Sequence, residues 1–210
     1  TYLLSKGICS IHDAGTDQLL PHQYVEIYKK FNDSGRLFLR TYLMMRPEDD
    51  ERFEDFADQV KTLRKEYAPE KSRLFFGAVK LFADGSLGGR TAAVRTPYVG
   101  EKDNKGLLLK ERLDRYVPQV HKAGLQVSIH AIGDRSVEYC LDLIEQSMRN
   151  IPGQNIMHRI EHAEVLEEDL IKRIQASGVF IAAQPGFIWE IGSTYRKVIG
   201  ENAEKIQPLK

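Results

Sequence analysis

No apolar run in this 210-residue chain approaches the roughly 20 residues that a bilayer span requires, which removes membrane helices from consideration. Cysteine is scarce. Cys9 and Cys140 are the only two, far apart in sequence, so a disulfide scaffold is excluded and a reduced compartment fits. An excess of either charge is also missing. Thirty Lys and Arg balance thirty Asp and Glu, so neither a nucleic-acid-binding surface nor an acidic tail is expected. With 42% hydrophobic and 29% charged residues the composition is that of a globular protein rather than a disordered one. The length suits one sizeable core, read here as a single domain over residues 1–210. The chain starts at Thr1 rather than Met and shows no secretory leader, and a cytoplasmic location is the expectation.

What is present is alternation. Apolar runs at 7–12, 37–43, 77–83, 125–130, 156–162 and 179–184 are separated by amphipathic stretches. A helical pattern covers about 17–33, with Pro21 suited to its first turn. Within 48–66, Phe53, Phe56, Val60 and Leu63 fall on one helical face. Asp134 is expected to cap a helix whose Val137, Cys140, Leu141, Ile144 and Met148 repeat at helical spacing. Leu166, Leu170, Ile171 and Ile174 mark another helix, and Pro185-Gly186 stops the last strand. Strands alternating with helices predict a parallel sheet. An open doubly wound sheet needs a Gly-rich phosphate loop after its first strand, and Gly15 stands alone there. The remaining solution is an α/β, TIM-like (β/α) barrel, here partial, with about six parallel strands where eight close a barrel. The long irregular segment from 84 to about 109 is of the kind that forms lids or binding loops, and its glycines suggest mobility.

Active sites of such folds lie at the C-terminal strand ends. His130 closes one strand and His162 the next. By period-2 alternation His130 shares a face with Ser128 and Gln126, and His162 with Ile160 and His158. If those faces point inward, two imidazoles meet at the barrel mouth, where a metal is the usual reason to gather them. Two structural, hydrogen-bonded histidines are the competing reading. Lys80 lies inside a buried strand, which is costly without a partner. It reads as a snorkelling edge lysine, as a Schiff-base amine, or as a lysine carbamylated by carbon dioxide into an anionic metal ligand. Only the last explains Lys80 together with both histidines. His12 closes the first strand, as a substrate contact or an exposed turn residue. Asp84 opens the long loop in a turn, and Arg90 is a candidate clamp for a substrate anion. Glu161 is expected to face away from His162 and to pair with a helix residue. His22 and His121 read as surface residues, and Trp189 as a pocket wall or a cover for the core.

The runs VKLFADGSLGGRTAAV, GLQVSIHAIGD, HRIEHAEVL and GVFIAAQP, with GICSIHDAG before them, resemble the amidohydrolase superfamily in its YtcJ-like branch, amidohydrolase family 3. The matches follow in order and cover most of residues 7–190. The resemblance implies a TIM-like barrel enzyme that hydrolyses carbon–nitrogen bonds of the non-peptide amide type with metal-activated water. It implies a small-molecule substrate and a divalent metal, zinc foremost, as one or two ions. Lys80, His130 and His162 match its metal ligands. Asp84, Arg90 and His12 are the candidate substrate contacts. The family also uses a His-x-His pair on the first strand and a proton-transferring aspartate on the eighth. This chain contains no His-x-His, and the aspartate is expected beyond Lys210. The chain therefore reads as a fragment lacking the first and eighth strands and inactive alone. A Schiff-base aldolase or lyase using Lys80, or a non-catalytic barrel scaffold, are the alternatives. A homo-oligomer is compatible with the sequence; a nucleic-acid or membrane partner is not expected.

Overall fold

A computed structural model describes residues 2–15, 21–48, 51–68 and 70–206. The start of the 17–33 helical pattern and residues 49–50 of the charged stretch lie outside the described residues. Six parallel strands alternating with helices make a partial TIM-like barrel. The chain divides into two compact units, residues 1–80 and 81–210. Among the described residues no helix is long and apolar enough to cross a membrane.

The first unit contains α1 (Tyr2–Ser5), β1 (Ser10–Asp13), α2 (Pro21–Asp33), β2 (Arg40–Met45), α3 (Phe53–Glu66) and most of β3 (Leu74–Phe82). Ser10–Asp13 pair in parallel with Arg40–Leu43, and Thr41–Leu43 with Leu74–Phe76. The predicted face of α3 is the buried one, with Phe53, Phe56, Val60 and Leu63 all buried, as are Leu43, Leu74 and Phe76 of the neighbouring strands. At its end Arg64 donates to the Phe76 and Gly77 carbonyls at 3.1 and 2.7 Å, fastening helix to strand.

The register then slips. Leu43 faces Phe76, but Met45 faces Val79, so β3 carries one extra residue at Gly77-Ala78. Such a bulge reverses the alternation beyond it. Glycine is required there because a Cβ at Gly77 would lie 1.9 Å from the Tyr42 ring. Val79 stays with Met45 on the covered side, and Lys80 shares the opposite face with Phe82.

The second unit holds the end of β3, α4 (Lys110–Lys122), β4 (Val127–Ala131), α5 (Asp134–Asn150), β5 (Arg159–His162), α6 (Glu168–Ser177), β6 (Phe180–Ala182), α7 (Gly186–Ile199) and a 3-10 turn, Gly200–Lys205. Most of the α5 stripe packs as its spacing predicts, with Val137, Cys140, Leu141 and Ile144 fully buried and Met148, in the last turn, half-buried. Asp134 is not the N-cap. That position is Gly133, and Asp134 is the first helical residue, its Oδ1 accepting the Arg95 and Arg135 N–H groups at 2.8 and 2.9 Å.

Other expectations are corrected. His121 is buried rather than superficial, because it continues the apolar face of α4 that Leu113, Val117 and Val120 define. Pro185-Gly186 opens α7 as well as ending β6, proline being at ease where the first helical N–H groups lack partners. Trp189, on that helix, is 93% exposed and neither walls a pocket nor covers the core.

Residues 84–109 have no regular structure before α4, as expected, yet they are packed down. Leu87, Ala92, Val94 and Tyr98 join Ile132, Val165, Tyr195, Val198, Ile199 and Ile206 in a small apolar cluster over the strand ends. The Tyr98 hydroxyl donates to the Ala92 carbonyl at 2.8 Å. Arg95 reaches Glu138, Glu167 and Asp169, at 2.8, 3.2 and 2.9 Å. A Cβ at Gly133 would sit 2.0 Å from the Ala93 carbonyl oxygen. That glycine serves close approach of two backbones, not motion.

Candidate metal centre

β4 and β5 pair in parallel, with His130 beside Glu161 and Ala131 beside His162. Strict alternation would put His162 with Ala131, Ile160 and His158. That face is the helix-covered one, since His158 bonds to His121 of α4. The backbone changes the outcome. His162 has φ +72° and Ala163 φ +47°, two successive non-glycine residues in the left-handed region. The chain turns there, and the His162 ring meets the His130 ring edge-to-face with centroids 4.7 Å apart. The two imidazoles do converge, by this turn and not by alternation.

Glu161 consequently lies on the His130 side, opposite to a helix contact. It is buried and takes hydrogen bonds from the Ser128 hydroxyl and from Arg159, two residues back on its own strand. Its ion pair is with a strand residue rather than the expected helix residue.

Each imidazole is held from behind. His130 Nε2 lies 2.8 Å from the Gly85 carbonyl oxygen. A carbonyl only accepts, so Nε2 carries the proton and Nδ1 the lone pair. His162 Nδ1 lies 2.6 Å from Gln184 Oε1, and the Gln184 amide donates to the Ala182 carbonyl at 2.8 Å. That second bond fixes which end of the amide faces the ring. Nδ1 of His162 therefore donates, and Nε2 holds its lone pair. Phe82 is tilted against His130 at 5.5 Å, and Phe187 stacks on His162 at 6.2 Å and 16°.

Asp84 is buried beside this pair. Its oxygens accept the Ile132, Gly133 and Ala93 N–H groups and the Ser136 hydroxyl. Burial, the largest influence, raises its carboxyl above the usual carboxylate range, and those four hydrogen bonds offset part of the rise. Burial also raises Glu164, with the Asp84 charge a lesser contribution. Arg90, at φ +54°, is ion-paired with Glu101 at the loop surface. In the first unit, His12 stacks on Tyr42 at 4.5 Å and 25°, and neighbouring Asp13 accepts the Gly15 N–H. Lys80 is buried on β3. Sequence reasoning missed Gln184, although a polar residue closing β6 was the same signal that singled out His130 and His162. It also missed the Gly85 carbonyl, which no side-chain pattern announces.

The fit to a divalent metal is that of a partial set. Two neutral imidazoles with pinned tautomers suit zinc. Among the described residues, however, no group of three or more His, Cys, Asp or Glu side chains is placed to hold an ion. A third donor of another type is needed.

Comparison with known proteins agrees with this architecture. The amidohydrolase family model matches residues 2–208. The Bacillus subtilis (strain 168) protein YtcJ, named as an amidohydrolase, is 34% identical over 78% of this chain and 29% of its own length. The N-substituted formamide deformylase of Arthrobacter pascens is 23% identical over 97% of this chain and 36% of its own. The crystal structure of an uncharacterized metal-dependent hydrolase from Pyrococcus furiosus superposes with TM-score 0.78 at 29% identity, over 100% of this chain and 41% of that one. Its counterpart from Pyrococcus horikoshii gives 0.76 at 26%, over 98% and 39%. The chain thus spans about a third of the length of the curated relatives it matches.

Proposed function

The chain belongs to the amidohydrolase family, and on that footing we propose that it forms part of a metal-dependent hydrolase whose ion is held by His130 and His162. The observation that carries this reading is the pair of back-side hydrogen bonds, to Gly85 and to Gln184, which turn Nδ1 of His130 and Nε2 of His162 into the ligating nitrogens. Zinc is the ion that best suits such donors. When bound, it supplies a Lewis acid that polarises the scissile carbonyl and makes water nucleophilic near neutral pH.

The third donor is Lys80 as its carbamate. Carbon dioxide joins the neutral amine, an N–C bond forms, the displaced proton goes to solvent, and an anionic oxygen donor results. Its place on the Phe82 face of β3, set by the bulge, supports this. The substrate class is a small molecule with a non-peptide amide-type C–N bond, for which the named activity of the Arthrobacter relative is the support. Of the three expected substrate contacts, Arg90 and His12 are retained in this proposal; Asp84, whose side chain is 0% exposed, is assigned a different role. Phe82 and Phe187 flank the imidazoles and limit their access to water.

Calorimetric titration of the metal-free chain with zinc tests the reading. One zinc per chain is expected, with affinity lowered more than about 100-fold by His130→Ala and by His162→Ala, beyond the loss typical of outer-shell changes. Binding unchanged in either variant overturns it.

A further inference from the structure

Asp84 follows β3 by two residues, and its side chain is 0% exposed. Oδ1 accepts the Ile132 N–H at 3.0 Å. Oδ2 accepts the Gly133 and Ala93 N–H groups, each at 2.9 Å, and the Ser136 hydroxyl at 2.6 Å. Four donors and no acceptor converge on it, the surroundings of a carboxylate. Two separate stretches are thereby tied to one group: Ala93 of the long loop, and the turn from Ile132 to Ser136 that leads from β4 into α5.

His130 stands at the junction of those stretches. Its Nε2 lies 2.8 Å from the carbonyl of Gly85, the residue next to Asp84, and 3.5 Å from Asp84 Oδ1 itself. Carbonyl and carboxylate can only accept. The Gly85 carbonyl and the Asp84 side chain thus impose the same tautomer, and the four hydrogen bonds on Asp84 hold the start of the loop, with both acceptors, in place. A wholly buried carboxylate meets no substrate directly, so its effect passes through the imidazole.

We propose that Asp84 is a positioning residue: it fixes His130 as the Nε2–H tautomer and turns Nδ1 toward the ligand of the centre. The identity of that ligand as a divalent metal rests on the function proposed above; the tautomer does not.

Long-range 1H–15N spectra of the metal-free, 15N-labelled chain read the tautomer directly. A protonated Nε2 and an unprotonated Nδ1 are expected for His130. In Asp84→Asn the amide places N–H groups where Oδ1 faced Nε2. His130 should then shift toward the Nδ1–H form while the His121 and His158 signals stay in place, and zinc affinity should fall about 10–100-fold. A wild-type His130 protonated at Nδ1 overturns the proposal, as does a folded Asp84→Asn with unaltered His130 signals. Should that variant not fold, the 113Cd-loaded wild type decides. Coupling between cadmium and His130 Nδ1 supports the proposal, and coupling to Nε2 overturns it. A chain that shows the expected tautomer but binds neither zinc nor cadmium supports the role of Asp84 and overturns the metal reading alone.

Discussion

His158 donates through Nε2 to His121 Nδ1 across 2.9 Å, joining the residue before β5 to the last turn of α4. Both ends of this pair are fixed. The Val127 N–H donates to His158 Nδ1 at 3.2 Å, and His121 Nε2 donates to the Ile151 carbonyl at 3.0 Å. The row accommodates two neutral rings; a further ring proton would oppose an existing N–H.

Stability should therefore fall with acid. Burial first, and His121 second, depress His158 from 6.5 to about 4. The unfolded chain binds the proton more readily between those values, so this contribution is complete above pH 6.5 and is lost as pH falls toward 4. Between pH 7 and pH 5 the loss is about 2 kcal/mol. Urea midpoints across that range measure it, and His158→Gln should flatten the slope. An unchanged slope would refute the assignment.

Two glycine-to-alanine changes should separate crowding from conformation. At Gly133 the new methyl would meet the Ala93 carbonyl oxygen at 2.0 Å, and a loss of about 3 kcal/mol with weakened zinc binding is expected. At Gly153, with φ +85° and open space around it, only the left-handed backbone is penalised, by about 1 kcal/mol. Thermal melts of both variants, with zinc titrations, check the contrast.

Arg95→Ala should lower stability by about 1–2 kcal/mol, more than a single surface pair, since three carboxylates lose a shared cation that is itself only partly exposed. The deficit should shrink in high salt, where the liberated carboxylates repel one another less. Melts at low and high ionic strength give the comparison.

Bicarbonate should raise zinc affinity in the wild-type chain and leave Lys80→Ala unaffected, because only the wild type has the amine that a carbamate requires. The chain alone should show no amide hydrolysis. Borohydride reduction with a carbonyl substrate should leave no covalent adduct on Lys80, and mass spectrometry that finds one would restore the Schiff-base alternative.

The alternation of strands and helices was legible because each element keeps its period: α5 buries most of the stripe its spacing predicts, and all six strands lie on or near their apolar runs. The side chains that depart from period were not legible. The bulge at Gly77-Ala78 decides which way Lys80 faces, and the left-handed turn at His162 decides where that ring goes. Neither leaves a mark in hydrophobicity. His121 was readable in principle, lying four residues beyond Val117 on the face α4 buries. The glycines of the long loop are ambiguous for a physical reason: freedom of backbone and absence of a side chain look alike in sequence, and Gly85, where a Cβ would meet the Thr91 side chain at 2.1 Å, is there for the second.

Because His162 and Ala163 both sit in the left-handed region, the aim of one imidazole is a property of the main chain rather than of a rotamer. A laboratory evolving this scaffold toward new substrates gains a steering point that touches no polar group. Glycine at position 163 would leave the bend comfortable. Valine or isoleucine there would resist it and swing the ring back toward the helices, dismantling the centre from one methyl-bearing neighbour.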